Sequence, residues 1–279
     1  MLLHIIADYG AGDLAFAEVI QRLKQALPDC EIVLTNVPPF STLAAGFCIA
    51  QLGLNAADGG ALIYHNVAPR AEDTPSSGAA TEERLAYARL PNDVRVVGVH
   101  AGHCLSFIRD VAAELRWVSI APSRSQFRSR DVFPGAVAAL AANNNSVLAG
   151  NIPISEIPDV PASCVAYIDG YGNIKTTIPL QVSVTPSGSI SQAHFDDIPG
   201  HIISVRIGQV KKRAIVSDGS FDVQSGQIVF SPSSSGWTYG QAEVRHEIRW
   251  MELFFRSGSA WEEFGRPAVG TEIEILESS

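Results

Sequence analysis

The sequence predicts an α/β N-terminal domain with a mostly parallel sheet, followed by a small all-β barrel as the C-terminal domain. Three observations carry that prediction. Over residues 1–160, short apolar runs alternate with runs of helical periodicity, the pattern of strands covered on both faces by helices. Over residues 161–279, short β-like runs are separated by Gly, Ser, Pro and Asp, the pattern of a small barrel or sandwich. Between the two lies the stretch 152–161, whose three prolines make it the natural linker.

In chain order, residues 2–7 form an apolar run bounded by Asp8 and Gly10 and read as a buried strand. Residues 13–27 carry Leu14, Phe16, Ala17, Ile20, Leu23 and Leu27 at helical spacing, with Asp13 placed to cap the N-terminus. A strand at 31–35 runs into the turn Pro38-Pro39, and a helix at 41–54 starts on Ser41. Strands follow at 61–65, 94–100 and 117–121, and then an alanine-rich helix at 131–142. In the second half the expected strands are 164–168, 174–178, 202–207, 214–216, 228–230, 250–255 and 272–276.

Composition narrows the class. The 279 residues are 46% apolar and 18% charged, enough for a full core and too little charge for a disordered chain. The net charge of −9 argues against a nucleic-acid backbone as partner, while leaving a small cationic ligand open. Four of the 20 basic residues are lysines, so arginine dominates, which suits bidentate anion contacts and is equally explained by genomic composition. Cys30, Cys48, Cys104 and Cys164 form no C-x-x-C pair and no zinc spacing. The N-terminus lacks a basic n-region and no apolar run reaches about 18 residues. A soluble, reduced, cytoplasmic protein without a metal or a membrane segment is the expectation.

Ligands of open α/β sheets bind beyond the carboxyl ends of strands, so the strand exits are the candidate sites. The first exit is Ala7-Asp8-Tyr9-Gly10-Ala11-Gly12-Asp13. There Asp8 reads either as an acceptor for a ribose diol or as a helix cap, and the spacing is not that of a dinucleotide fold. The third exit is Tyr64-His65-Asn66-Val67-Ala68-Pro69-Arg70, followed by a small, polar stretch at 71–80 that reads as a lid or a plain loop. His100-Ala101-Gly102-His103-Cys104 lacks a third metal ligand. Gln126-Phe127-Arg128-Ser129-Arg130-Asp131 opens a helix and reads as an anion site or as a cap with solvated arginines. Asp169-Gly170-Tyr171-Gly172-Asn173 and Arg256-Ser257-Gly258-Ser259-Ala260 are turn-compatible.

In this order the motifs resemble the S-adenosylmethionine hydroxide adenosyltransferase family, relatives of fluorinase and chlorinase. The family's T-D-F-G-x-x-D turn corresponds to residues 7–13 and its H-x-I-P-P-F-D exit to Asn36-Val37-Pro38-Pro39-Phe40-Ser41. Its F-H-G-R-D-x-F-x-P segment corresponds to 127–134, its D-x-F-G-N turn to 169–173, and its N-x-G-S-A to 256–260. The resemblance implies a nucleoside-binding N-terminal domain, a C-terminal β-barrel, and homotrimers with sites between subunits. It also implies displacement at the ribose C5′ of S-adenosylmethionine by water or halide, with S-adenosylmethionine as substrate and no other cofactor. Asp8 would then hold the ribose hydroxyls and Phe40 the pocket wall. Asp169, Tyr171 and Asn173 would hold the methionine part and the adenine. Arg256, Ser259 and Ala260 complete the substrate-binding set at the adenine end.

The family's hydrolases generate hydroxide with an Asp-Arg-His set, and that set is absent here in its usual form. No Asp ends the third strand, Arg128 stands where the family has His, and Glu72 or Asp73 stands where it has Arg. The catalytic candidates are therefore His65, Asn66, Arg70, Arg128 and Ser129. Arg70 and Arg128 would lower the pKa of a bound water or hold an anion, and His65 would take the proton. Ser129 matches the serine that halide-using members place against the anion. The alternatives are a non-catalytic binder of S-adenosylmethionine or adenosine, and an enzyme of the same fold with another nucleophile.

Overall fold

The computed structural model describes residues 1–68, 84–180, 182–184, 190–192, 200–218, 223–241 and 244–276. Contacts divide the chain into two compact units, Met1–Asp159 with Tyr239–Val244, and Val160–Thr238 with Arg245–Ser279. Each is built on a seven-stranded sheet.

The first unit opens with β1 (Leu2–Ala7), α1 (Leu14–Ala26), β2 (Glu31–Asn36), α2 (Thr42–Leu54) and β3 (Ala61–Asn66). Asp13 caps α1 through a 2.8 Å bond from the Ala15 N–H, a contact typically worth about 1 kcal/mol. That helix buries Phe16, Val19 and Leu23 against Leu3, Ile5 and Tyr64 on one face of the sheet. On α2, Leu43 through Ala50 are all buried, so the helix has no polar stripe. The chain continues through β4 (Leu85–Arg89), β5 (Arg95–Val99), β6 (Glu114–Val118), α3 (Arg128–Asp131), α4 (Phe133–Ala141) and β7 (Leu148–Asn151).

The strand order is β2-β1-β3-β5-β4-β6-β7. The pairs β1–β2, β1–β3 and β3–β5 are parallel, whereas β4–β5, β4–β6 and β6–β7 are antiparallel. The expectation of an α/β domain with a mostly parallel sheet is thereby corrected: the sheet is mixed, and helices are few. The cause is local. Leu90-Pro91-Asn92-Asp93-Val94 is a tight turn, with Asp93 at φ 59° and Leu90 N–H bonded to Val94 O at 2.9 Å. It folds β4 back onto β5 as a hairpin, and β4 then recruits β6 on its free edge. The expected strand at 117–121 falls instead at Glu114–Val118, and the expected helix at 131–142 breaks at Val132 into α3 and α4.

The second unit holds β8 (Val165–Ile168), β9 (Ile174–Pro179), a small pair β10 (Val182–Val184) and β11 (Ile190–Gln192), then β12 (Ile202–Ile207), β13 (Val210–Val216), β14 (Ile228–Gln241), β15 (Val244–Phe255), α5 (Ala260–Glu263) and β16 (Ile273–Leu276). Its large sheet runs β16-β12-β13-β14-β15-β9-β8 and is also mixed, because β13 and β14 are parallel. A bridge from Cys164 to Glu272 and bonds from Val165 N–H to Thr271 O and from Ile273 N–H to Ser163 O join its two ends, so the sheet is nearly a barrel. Val165, Ile174, Val205, Ile207, Phe230, Leu253 and Phe264 fill it. The expected short strands 228–230 and 250–255 are segments of two long strands. The fold class is therefore two mixed-sheet units, not an α/β domain joined to an all-β barrel.

Among the described residues, no helix is long and apolar enough to cross a membrane, and no group of three or more His, Cys, Asp or Glu is placed to hold a metal ion.

Candidate functional site

β1, β2 and β3 end side by side and run parallel, so Ala7, Asn36 and Asn66 stand in register at one edge of the sheet. Their exits converge on Tyr9. Its hydroxyl donates to Ser129 Oγ at 2.6 Å and accepts from Asn66 Nδ2 at 2.9 Å. Its backbone carbonyl accepts from Asn36 Nδ2. Its ring meets Phe16 and Phe127 edge-on, at 5.1 and 6.2 Å between centroids. Ser129 is buried, and its carbonyl accepts from the fully buried Tyr64 hydroxyl at 3.0 Å.

Beside this cluster, Asp8 Oδ2 accepts the Phe40 N–H at 2.8 Å. Phe40 adopts φ 60°, a left-handed conformation that costs a non-glycine residue on the order of 1–3 kcal/mol and that clusters at ligand sites. The residue stays 40% exposed, an apolar side chain next to a carboxylate. The structure thus gathers Asp8, Phe40, Asn66 and Ser129 at the strand ends and adds Tyr9 and Asn36, which sequence reasoning did not single out. Both are polar strand-exit residues, and that was the available signal.

His65 does not join them. It alternates to the opposite face of β3 from Asn66, is fully buried, and neither ring nitrogen has a hydrogen-bond partner among the described residues. The ring lies against Gly98, where an added Cβ would come within 2.1 Å of it. Burial, reinforced by His100, pushes its pKa down to about 3, so the ring is neutral and shielded from any substrate proton. Its expected role as proton acceptor finds no geometry here. Arg128 stacks its guanidinium 5.2 Å from the Phe133 ring centroid. Arg70 and the stretch 71–80 lie outside the described residues, so the expected pairing of Arg70 with Arg128 has no structural counterpart to report. Arg130 is engaged by Asp131 and Glu18, and this contact with Arg130 holds the Asp131 carboxyl well below its usual range. A groove of about 470 Å³ lined by Arg22, Gln25, Arg130, Asp131 and Gly135 lies on α1, α3 and α4, and none of the strand-end residues lines it.

In the second unit, Asp169 organises its own turn. Its Oδ1 accepts the N–H groups of Tyr171 and Asn173, both at 3.0 Å, and its Oδ2 accepts Asn173 Nδ2 at 2.9 Å. Lys175 Nζ stands 3.5 Å from that Oδ2 and pairs with Glu252, which also accepts from Ser233 Oγ at 2.8 Å. Gly172, at φ 79°, packs so closely on Ser259 that a Cβ would come within 2.0 Å of its Oγ. Ser259 in turn caps α5 by accepting the Glu262 N–H at 3.2 Å, and Ala260 is buried below it. Tyr171 projects outward with 84% of its surface exposed. Asp169, Tyr171, Asn173, Ser259 and Ala260 are therefore one cluster. Arg256 is turned to the Val223 carbonyl instead, and its backbone pairs with Gly226 and Gln227.

No protein-family model matches the chain, and no curated protein matches it by sequence. Solved structures do. An uncharacterized conserved protein from Thermotoga maritima superimposes with a TM-score of 0.69 at 20% identity, over 98% of this chain and 100% of that one. A conserved hypothetical protein from Thermus thermophilus gives 0.63 at 21% identity, over 98% of this chain and 99% of that one. At this identity the likeness shows a shared fold.

Proposed function

We propose that the protein is a member of the S-adenosylmethionine hydroxide adenosyltransferase family that displaces methionine from the ribose C5′ with water. The observation that carries this reading is the joining of Asn66 and Ser129 through the Tyr9 hydroxyl, next in the chain to Asp8, at the carboxyl ends of parallel strands, the location where such sheets bind nucleosides. In this reading Asp8 accepts from the ribose hydroxyls and Phe40 walls the pocket. Asn66 and Ser129 align a water opposite the sulfur. The C5′–O bond forms as the C5′–S bond breaks, the sulfur keeps the electron pair, and the water's proton goes to solvent. The turn at Asp169, Tyr171 and Asn173, with Ser259 and Ala260, contributed by a neighbouring subunit, takes the adenine and methionine ends. The working assembly is a cytoplasmic homotrimer, and S-adenosylmethionine is substrate rather than cofactor.

Incubation of the pure protein with S-adenosylmethionine, with chloride varied, tests this. Release of adenosine and methionine in equal amounts is expected, and unchanged substrate overturns it. The burial of His65 on the far face of β3 favours one second reading, a nucleoside-binding protein without turnover, because it removes the expected base from the cluster. Calorimetric heat with S-adenosylmethionine or adenosine in the absence of products selects that reading. No heat and no products remove both.

A further inference from the structure

We propose that Tyr9 is the positioning residue of the strand-end cluster, the group that fixes Asn66 and Ser129 in one relation to each other; the inference rests on the displacement reading above. Asn66 and Ser129 come from separate parts of the chain, 57 and 120 residues from Tyr9, and its hydroxyl is the atom they share. Tyr9 is itself held through its ring and its backbone. Phe16 and Phe127 fix the plane of the ring edge-on, and Asn36 ties the Tyr9 carbonyl. Tyr64 fixes the backbone of Ser129 at 3.0 Å, so Tyr9 acts on an anchored partner.

The chain of bonds has a direction. Asn66 donates an amide N–H to the Tyr9 oxygen, and Tyr9 donates its one proton to Ser129 Oγ. The Ser129 proton is therefore directed away from Tyr9. An amide nitrogen has no lone pair to offer, so a proton arriving at Ser129 cannot pass inward along this chain. The arrangement holds two groups in place and conducts nothing. A near-attack geometry is sensitive to such placement, and a displacement of about 1 Å can lower a rate on the order of a hundredfold. Tyr9→Phe keeps the clamped ring and removes only the shared hydroxyl.

The test measures S-adenosylmethionine turnover by wild type, Tyr9→Phe, Ser129→Ala and the double variant, with thermal melts as the check on folding. Tyr9→Phe is expected to lower kcat by about tenfold to a hundredfold. KM is expected to stay within about twofold, because Asp8 and Phe40 carry the ribose in the displacement reading, and the pH profile keeps its shape. The double variant falls no further than the slower single variant, since both lose one coupled arrangement. An unchanged kcat in Tyr9→Phe, losses that multiply in the double variant, or a KM that rises in step with the loss overturns the inference while leaving the displacement reading in place. An inert wild type overturns the displacement reading and the inference with it.

Discussion

Lowering the pH tests the burial of His65 as a neutral ring, and the size of the effect follows from that burial. In the unfolded chain its imidazole titrates at about 6.5, and burial in the fold lowers this to about 3, because a charged ring would lose its hydration there. The folded form thus binds the proton more weakly, so acid favours unfolding. The contribution is present in full above pH 6.5 and is lost as the pH falls from there to about 3. Over the whole window, 3.5 units at 1.36 kcal/mol each come to roughly 5 kcal/mol. Between pH 7 and pH 4.5 the loss is on the order of 2–3 kcal/mol. Urea unfolding followed by far-UV circular dichroism at those two pH values measures it, in the wild type and in His65→Leu. The buried His4 and the half-buried His103 titrate in both proteins and cancel in the difference, whereas His100 acts on the His65 ring and its contribution belongs to the effect measured. The variant should lose on the order of 2–3 kcal/mol less than the wild type on acidification. Equal losses, within about 0.5 kcal/mol, would refute a buried neutral His65.

Two further perturbations probe the same unit. Gly98→Ala drives a methyl group into the His65 ring, where the built Cβ stands 2.1 Å from Cδ2, and overpacking of this kind costs about 1–3 kcal/mol or more. Its melting temperature should fall by several degrees, and Gly98→Ala combined with His65→Ala should recover part of the loss. Asp8→Asn keeps an oxygen for the Phe40 N–H but removes the charge offered to the ribose. Calorimetry should show adenosine binding weakened about tenfold, since hydrogen bonds to charged groups are worth roughly 1.5–3 kcal/mol.

The parallel half of the first sheet was legible because β1 and β3 are buried along almost their whole length and read as mostly apolar runs. The antiparallel half was not. β4 is Leu-Ala-Tyr-Ala-Arg, in which two alanines blunt the apolar signal, although Pro91-Asn92-Asp93 after it is a turn signal that marks the hairpin. The long strands of the second unit were read as fragments because Ser231, Ser233, Ser234 and Ser235 interrupt β14 with residues of loop composition. Ser231 and Ser233 are nevertheless buried within that strand, and Ser233 finds its partner in Glu252, 19 residues away. The site divides in the same way. The strand-exit rule located Asp8 and Asn66, since it needs only the end of a buried run. It misplaced His65, because period-two alternation turns it away from Asn66. The hydroxyl of Tyr9 gained its meaning from a contact spanning 120 residues, which local pattern does not contain.

The charge around Asp169 leads to a last prediction. Two carboxylates, Asp169 and Glu252, share one lysine, and Lys175 is almost wholly buried. In the proposed reading Asp169 also faces the cationic end of S-adenosylmethionine, so Lys175 competes with the ligand for it. Lys175→Met alone is the wrong experiment, because it strands Glu252 unpaired in the interior at about 3–5 kcal/mol. Adding Glu252→Gln removes that charge and keeps an oxygen for the Ser233 hydroxyl, which Glu252 now accepts at 2.8 Å. The double variant leaves Asp169 with its three N–H donors, which hold the turn, and without its internal counter-charge. Its affinity for S-adenosylmethionine should rise by about fivefold, the equivalent of roughly 1 kcal/mol for a partly exposed ion pair. Its affinity for adenosine, which has no cationic tail, should stay as it is in the wild type. Paired calorimetric titrations read the ratio of the two. A ratio unchanged from the wild type would mean that Asp169 serves only the turn, and that the methionine end of the ligand is held elsewhere.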